Sequence, residues 1–148
     1  ENIDSPIFQK LEKHVQEDLL YYKSSVENFQ LIILIGNARE TTTKAVAMGL
    51  LRDVDAIYQD PFSQKKNPIL WTQEWFSELY NCSSEDCIMA TYSSHISVRK
   101  SMYASKWKVF KRAGFAEKRS MTICKKNGDM NEDILRNIVT SPDPILRD

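Results

Sequence analysis

Three short polar stretches hold the side chains capable of chemistry. The longest, Asp60-Pro61-Phe62-Ser63-Gln64-Lys65-Lys66-Asn67-Pro68-Ile69-Leu70-Trp71, sets a carboxylate and two ammonium groups between two prolines. The prolines keep most of it out of helix and sheet, yet Phe62, Ile69, Leu70 and Trp71 are too apolar for an idle solvated loop. Two readings stand open: Asp60 caps a turn bordered by surface lysines, or Asp60 and Lys66 face a ligand. Tyr92-Ser93-Ser94-His95, followed by Arg99 and Lys100, is the second stretch. It reads equally as a serine-capped helix with a basic first turn or as polar groups around a ligand. Gly36-Asn37-Ala38-Arg39 is the third, and by itself the weakest.

Each stretch follows an apolar run that must position it. Phe29 to Ile35 is continuously apolar but for Gln30, the pattern of a strand covered on both faces. Val54 to Gln59 predicts a second buried strand that delivers Asp60, and Asp86 to Tyr92 a third. Ser5 with Pro6 is a good helix start. Ile7, Leu11, Val15, Leu19 and Tyr22, widened by Phe8 and Leu20, then recur at helical spacing. Further helices are predicted over Glu40 to Arg52, from a Thr72 cap to about Tyr80, and near Ser94 to Ala104. Lys108 to Lys111 and Arg119 to Lys125 are shorter β candidates, and the tail from Thr140, with two prolines, reads as extended. Trp75, Phe76, Trp107 and Phe110 are read as core. Alternating β and α elements predict a mainly parallel sheet with helices on both faces. Ligands of such sheets bind beyond the carboxyl ends of the strands, so the three polar stretches are expected to meet on one rim.

At 148 residues and 42% hydrophobic, the chain is expected to form one domain over 1–148. A formal net charge of zero conceals an asymmetry. From His95 to Lys126 there are ten Lys or Arg against the single acid Glu117, which leaves ten bases against nineteen acids elsewhere. Such a segment is either a polyanion footprint or a solvated basic face. Three cysteines and two histidines, without paired spacing, argue against a disulfide framework or a structural zinc site. Buried thiols in a reducing, cytoplasmic setting are expected, with no bound metal. No apolar run reaches membrane-spanning length, and no signal peptide precedes the acidic start. The chain begins at Glu1 without methionine, so an upstream piece is expected.

The motifs taken together are more specific. A strand ending in Gly36-Asn37-Ala38-Arg39 is followed by DAIYQDPFSQKKNPILW (55–71), ATYSSHISVRKS (90–101) and GFAEKRSM (114–121). From about Leu31 to Arg119 this resembles the methyltransferase domain of the MnmC-type tRNA-modifying enzymes. The resemblance implies a Rossmann-like, S-adenosylmethionine-dependent class I fold, mostly parallel with an antiparallel C-terminal strand. It also implies methyl transfer to the aminomethyl nitrogen of a modified wobble uridine in tRNA.

By that resemblance Asp60, with the carbonyls beside Pro61, accepts hydrogen bonds from a neutral amine and orients its lone pair. Phe62 walls the pocket. Lys66 contacts a phosphate or keeps the amine deprotonated by charge repulsion, and Asn67 sets the loop. Asn37 takes the cofactor's adenine and Glu1 its ribose, with Ala38, Asp60, Pro61 and Phe62 as further cofactor contacts. Tyr92, Arg99 and Lys100 are implied to meet the target nucleotide or a phosphate, and Lys118 and Arg119 the tRNA backbone.

The chain also departs from that pattern. Asn37 stands where such enzymes often carry aspartate. The glycine-rich cofactor loop has no counterpart, because Gly36, Gly49, Gly114 and Gly128 form no G-x-G-x-x-G cluster. The family's strands lie in the order third, second, first, fourth, fifth, seventh, sixth, and Phe29–Ile35 is expected to be the fourth, beside Val54–Gln59 as the fifth. Its free edge is then expected to be covered by an upstream segment or by a second copy of the chain, and the chain alone to bind S-adenosylmethionine poorly. Two alternatives are another nucleic-acid amino-methyltransferase of the Asp-Pro-Pro-Tyr type, and a non-catalytic RNA- or partner-binding module.

Overall fold

In the computed structural model, which describes residues 5–113 and 120–148, the N-terminal segment builds strands where helical spacing predicts a helix. Only Pro6–Gln9 (α1) is helical. Glu12–Gln16 (β1) and Leu19–Val26 (β2) pair antiparallel across Glu17 and Asp18, which take φ of 49° and 59°. A two-residue turn of that hand matches the twist of a hairpin. The expected helical stripe is a coincidence of spacing. Leu19 and Tyr21, two apart, are buried, whereas Val15 is exposed. Phe29–Ile35 (β3) follows a second two-residue turn and pairs antiparallel with β2.

The prediction of a strand buried on both faces is therefore corrected. β3 is the edge of a three-stranded sheet, and every one of its residues is exposed or half-buried. Ala38–Ala47 (α2) packs Ala45 against Leu19 and Tyr21, with Ile32, Leu34, Met48, Leu50 and Leu51 around them. The helix stops short of the predicted Arg52 because Gly49, at φ +70°, takes the left-handed conformation that ends helices.

The chain divides into two compact units, and these elements belong to the first, Glu1–Leu51. The second, Arg52–Asp148, is built on Val54–Tyr58 (β4), Ser83–Thr91 (β5), Lys108–Arg112 (β6) and Met121–Lys125 (β7), in the order β4-β5-β7-β6. β4 and β5 are parallel, and β7 runs antiparallel to both β5 and β6. Three strands thus share one direction and the last in sequence opposes them. This order fills the last four places of the expected series, so β4 is the fourth strand and not the fifth. Phe29–Ile35 does not pair with it. β4 is itself an edge strand, with Tyr58 89% exposed, and not the buried strand its composition predicts.

Gln73–Cys82 (α3) and Ile96–Ala104 (α4) supply the core of this unit. Trp71, Trp75, Phe76 and Leu79 join Val98, Met102, Trp107 and, from the strands, Cys87, Met89, Val109 and Cys124. The buried indole of Trp107 donates to the Phe76 carbonyl at 2.9 Å, and Phe110 is only half-buried. The three cysteines are buried and unpaired, and burial raises the pKa of each thiol. Glu132–Thr140 (α5) has no counterpart in the predicted elements. Residues 141–148 run without regular structure, as predicted. Among the described residues no helix is long and apolar enough to cross a membrane.

Candidate active site

β4 ends on Gln59 and Asp60, and Gln59 is what organises the loop beyond it. Its backbone N–H extends the ladder to the Ala90 carbonyl at 2.9 Å. Its buried side chain donates to the Leu70 carbonyl at 2.6 Å and accepts from the Trp75 indole at 3.2 Å. The Trp71 indole donates to the Phe62 carbonyl at 2.9 Å. The Ser63 carbonyl accepts from the N–H groups of Lys66 and Asn67, and Pro68–Leu70 forms a single 3-10 turn. These bonds explain the apolar residues of the stretch: Trp71 is core, and it fastens the polar loop to the start of α3. Asp60 is left exposed at the carboxyl end of β4.

β5 delivers Tyr92 to His95 in the same way. Ser93 N–H donates to Thr91 Oγ1 at 3.1 Å, and the Thr122 hydroxyl donates to the Ser93 carbonyl at 2.7 Å while accepting from Arg99 Nε at 2.9 Å. The two loops enclose a cavity of about 580 Å³, within the size range of small-molecule sites. Asp60, Pro61, Gln64 and Lys65 line one side, Tyr92 to His95 the other, with Trp71 and Ser120 completing it. Gln64 Nε2 is buried with no hydrogen-bond acceptor among the described residues. An orphan donor of this kind is expensive unless a ligand meets it. Asp60, Pro61, Gln64 and Tyr92 therefore suit a ligand that carries both cationic and acceptor groups, as S-adenosylmethionine does.

The anticipated residues distribute unevenly. Asp60, Pro61 and Tyr92 line this cavity, while Phe62, Lys66 and Asn67 belong to its loop without lining it. Lys66 Nζ lies 5.7 Å from the centre of the Phe62 ring, which is 69% exposed. Arg99 lines a neighbouring cavity, and Lys100 Nζ donates to the Ser141 carbonyl at 2.8 Å. Asn37 and Ala38 belong to the N-terminal unit. There Asn37 caps α2, its Oδ1 accepting from Arg39 N–H at 3.0 Å. Glu1, Lys118 and Arg119 lie outside the described residues. Gln59, Ser63, Gln64, Lys65 and Ser120 are additions that no sequence signal singled out.

A sheet with three co-directional strands and one reversed, bearing a ligand cavity at its carboxyl ends, defines the later half of a Rossmann-like methyltransferase. The chain belongs to a family of S-adenosyl-L-methionine-dependent methyltransferases, which matches residues 4–127. It is similar to the tRNA 5-methylaminomethyl-2-thiouridine biosynthesis bifunctional protein MnmC of Ectopseudomonas mendocina, with 28% identity over 78% of this chain and 18% of that protein. The protein of the same name from Dichelobacter nodosus is 33% identical over 62% of this chain and 14% of its own length. An uncharacterized protein of Methanocaldococcus jannaschii is 24% identical over 79% of this chain and 31% of its own. The crystal structure of MNMC2 from Aquifex aeolicus superposes with a TM-score of 0.68 at 30% identity, covering 81% of this chain and 39% of that one. The chain thus spans well under half the length of each of these relatives.

Proposed function

We propose that the protein transfers a methyl group from S-adenosylmethionine to the aminomethyl nitrogen of a modified wobble uridine in tRNA, a cytoplasmic reaction that needs no metal. The observation that carries this reading is Asp60, exposed at the carboxyl end of β4 in a cavity shared with Tyr92 and His95. The names of the MnmC relatives supply the substrate class.

When bound, S-adenosylmethionine supplies an electrophilic methyl group on a sulfonium. Asp60 accepts a hydrogen bond from the attacking amine, which aims the nitrogen lone pair. The same carboxylate offsets the positive charge that grows on nitrogen as the new bond forms. Lys65 in the cavity wall and Lys66 behind it disfavour the protonated, unreactive amine. Phe62, exposed beside Lys66, offers a face for a base, and Asn67 shapes the turn that holds it. Tyr92 lines the opposite side, toward the target nucleotide. Gln64 donates to the cofactor.

The test is transfer of radiolabelled methyl to tRNA carrying or lacking the aminomethyl group. Transfer should require that group, and Asp60→Ala should lower kcat/KM by about a hundredfold or more while the fold persists. Equal methylation of both tRNAs, or wild-type turnover by Asp60→Ala, overturns the reading.

A further inference from the structure

A second cavity, of about 940 Å³, opens between α4, the end of β6 and α5, and shares Ser94 with the active-site cavity. We propose that it binds a backbone phosphate of the RNA strand next to the target nucleotide, through Arg99, Lys111 and Arg112. This rests on the tRNA reading above.

Charge is the first reason. Among the described residues Arg99, Lys111 and Arg112 line the cavity against one carboxylate, Asp133, which is already paired with Arg136 Nη1 at 3.5 Å. Asn131 and Asn137 add amide groups to the wall. A concave surface of this sign draws polyanions.

The state of Arg99 is the second reason. Its Nε is fixed on Thr122 Oγ1 at 2.9 Å, and its Nη2 is buried with no acceptor among the described residues. Burial lowers the guanidinium's pKa from its ordinary value. A buried donor of this charge left unmet is costly, and the guanidinium fork matches the oxygens of a phosphate. The third reason is connection. The Thr122 hydroxyl that holds Arg99 also holds the Ser93 carbonyl at 2.7 Å, in the wall of the active-site cavity. A phosphate seated on Arg99 therefore fixes the strand close to where the amine must lie.

The test is RNA binding across a series of salt concentrations, using an anticodon stem-loop without the aminomethyl group and a second one carrying it. The double substitution Lys111→Ser and Arg112→Ser lies at exposed positions, and Arg99→Gln removes the buried contact. Each lost phosphate contact should flatten the slope of log affinity against log salt by roughly 0.7 to 0.9. The double variant should also raise KM for the stem-loop by about tenfold or more, with kcat and S-adenosylmethionine affinity unchanged. Slopes unchanged in the double variant overturn the proposal, whether or not Arg99→Gln folds. If inorganic phosphate binds in an Arg99-dependent manner while the RNA slopes stay fixed, the cavity takes a free anion and the RNA assignment falls. Equal methylation of the two stem-loops overturns the substrate reading alone, because the slopes are measured without the acceptor group.

Discussion

Gln64 and Asp60 differ in what their removal does to the folded protein. Asp60 is exposed, so it contributes little to the core, and its proposed role is toward the amine. Gln64 buries an amide nitrogen without an acceptor among the described residues, a cost that the proposed cofactor contact would relieve. Gln64→Leu should leave the melting temperature of the free protein unchanged or slightly raised, and shrink the rise produced by saturating S-adenosylmethionine. Binding to the folded state alone sets that rise, so an equal rise in both proteins would remove Gln64 from the cofactor's contacts. Asp60 was legible in the sequence because an apolar strand runs straight into it. Gln64 was not, since nothing in the spacing of Ser63, Gln64, Lys65 and Lys66 says which side chain a turn will send inward.

The elements that read correctly are those with a chemical start signal and one apolar face. α3 begins where Thr72 predicts, with the Trp75 N–H donating to Thr72 Oγ1 at 3.3 Å. Trp75, Phe76, Leu79 and Cys82 then fall on its buried face. The Thr72 hydroxyl also donates to Asp148 Oδ1 at 2.7 Å. Thr72→Ala should therefore cost about 1–2 kcal/mol in chemical denaturation, and Thr72→Ser much less. Equal losses for the two would show that the methyl group, not the cap, is what matters. The N-terminal hairpin misled because apolar residues in strands of this length also fall at helical intervals. Only turn chemistry separates the two, and Glu17-Asp18 carries no glycine or asparagine to announce it. α5 was legible in principle. Asn131 accepts from the N–H groups of Asp133 and Ile134, two acids occupy the first turn, and Ile134 and Ile138 face inward.

At the scale of the whole Arg52–Asp148 unit, the extended C-terminal residues bind helices that are distant in sequence. The Ser141 carbonyl accepts from Lys100, the Leu146 N–H donates to the Ser101 hydroxyl while its carbonyl accepts from the Gln73 N–H, and Asp148 reaches Thr72. Glu74 closes the strap by accepting from Arg147 Nε and from Asp148 N–H at 3.1 Å. Burial acts to raise the Glu74 pKa, but hydrogen bonds from its own N–H, Asp148 and Arg147, with the Arg147 charge, outweigh it. They hold the carboxyl below the ordinary 4.5. The direction fixes the sign of the pH dependence. The unfolded chain binds the proton more readily, so the fastening is complete above about 4.5 and is lost as pH falls through the lower value of the folded state. Hydrogen exchange at the Gln73 amide, which donates to the Leu146 carbonyl at 2.8 Å, reports the strap directly. Corrected for intrinsic rates, its protection should be constant near neutrality and drop below about pH 4.5. Glu74→Gln should lower protection at neutral pH and remove the acid-dependent step. A step that persists in Glu74→Gln would assign the acid sensitivity to another carboxylate and leave the strap held by its backbone bonds alone.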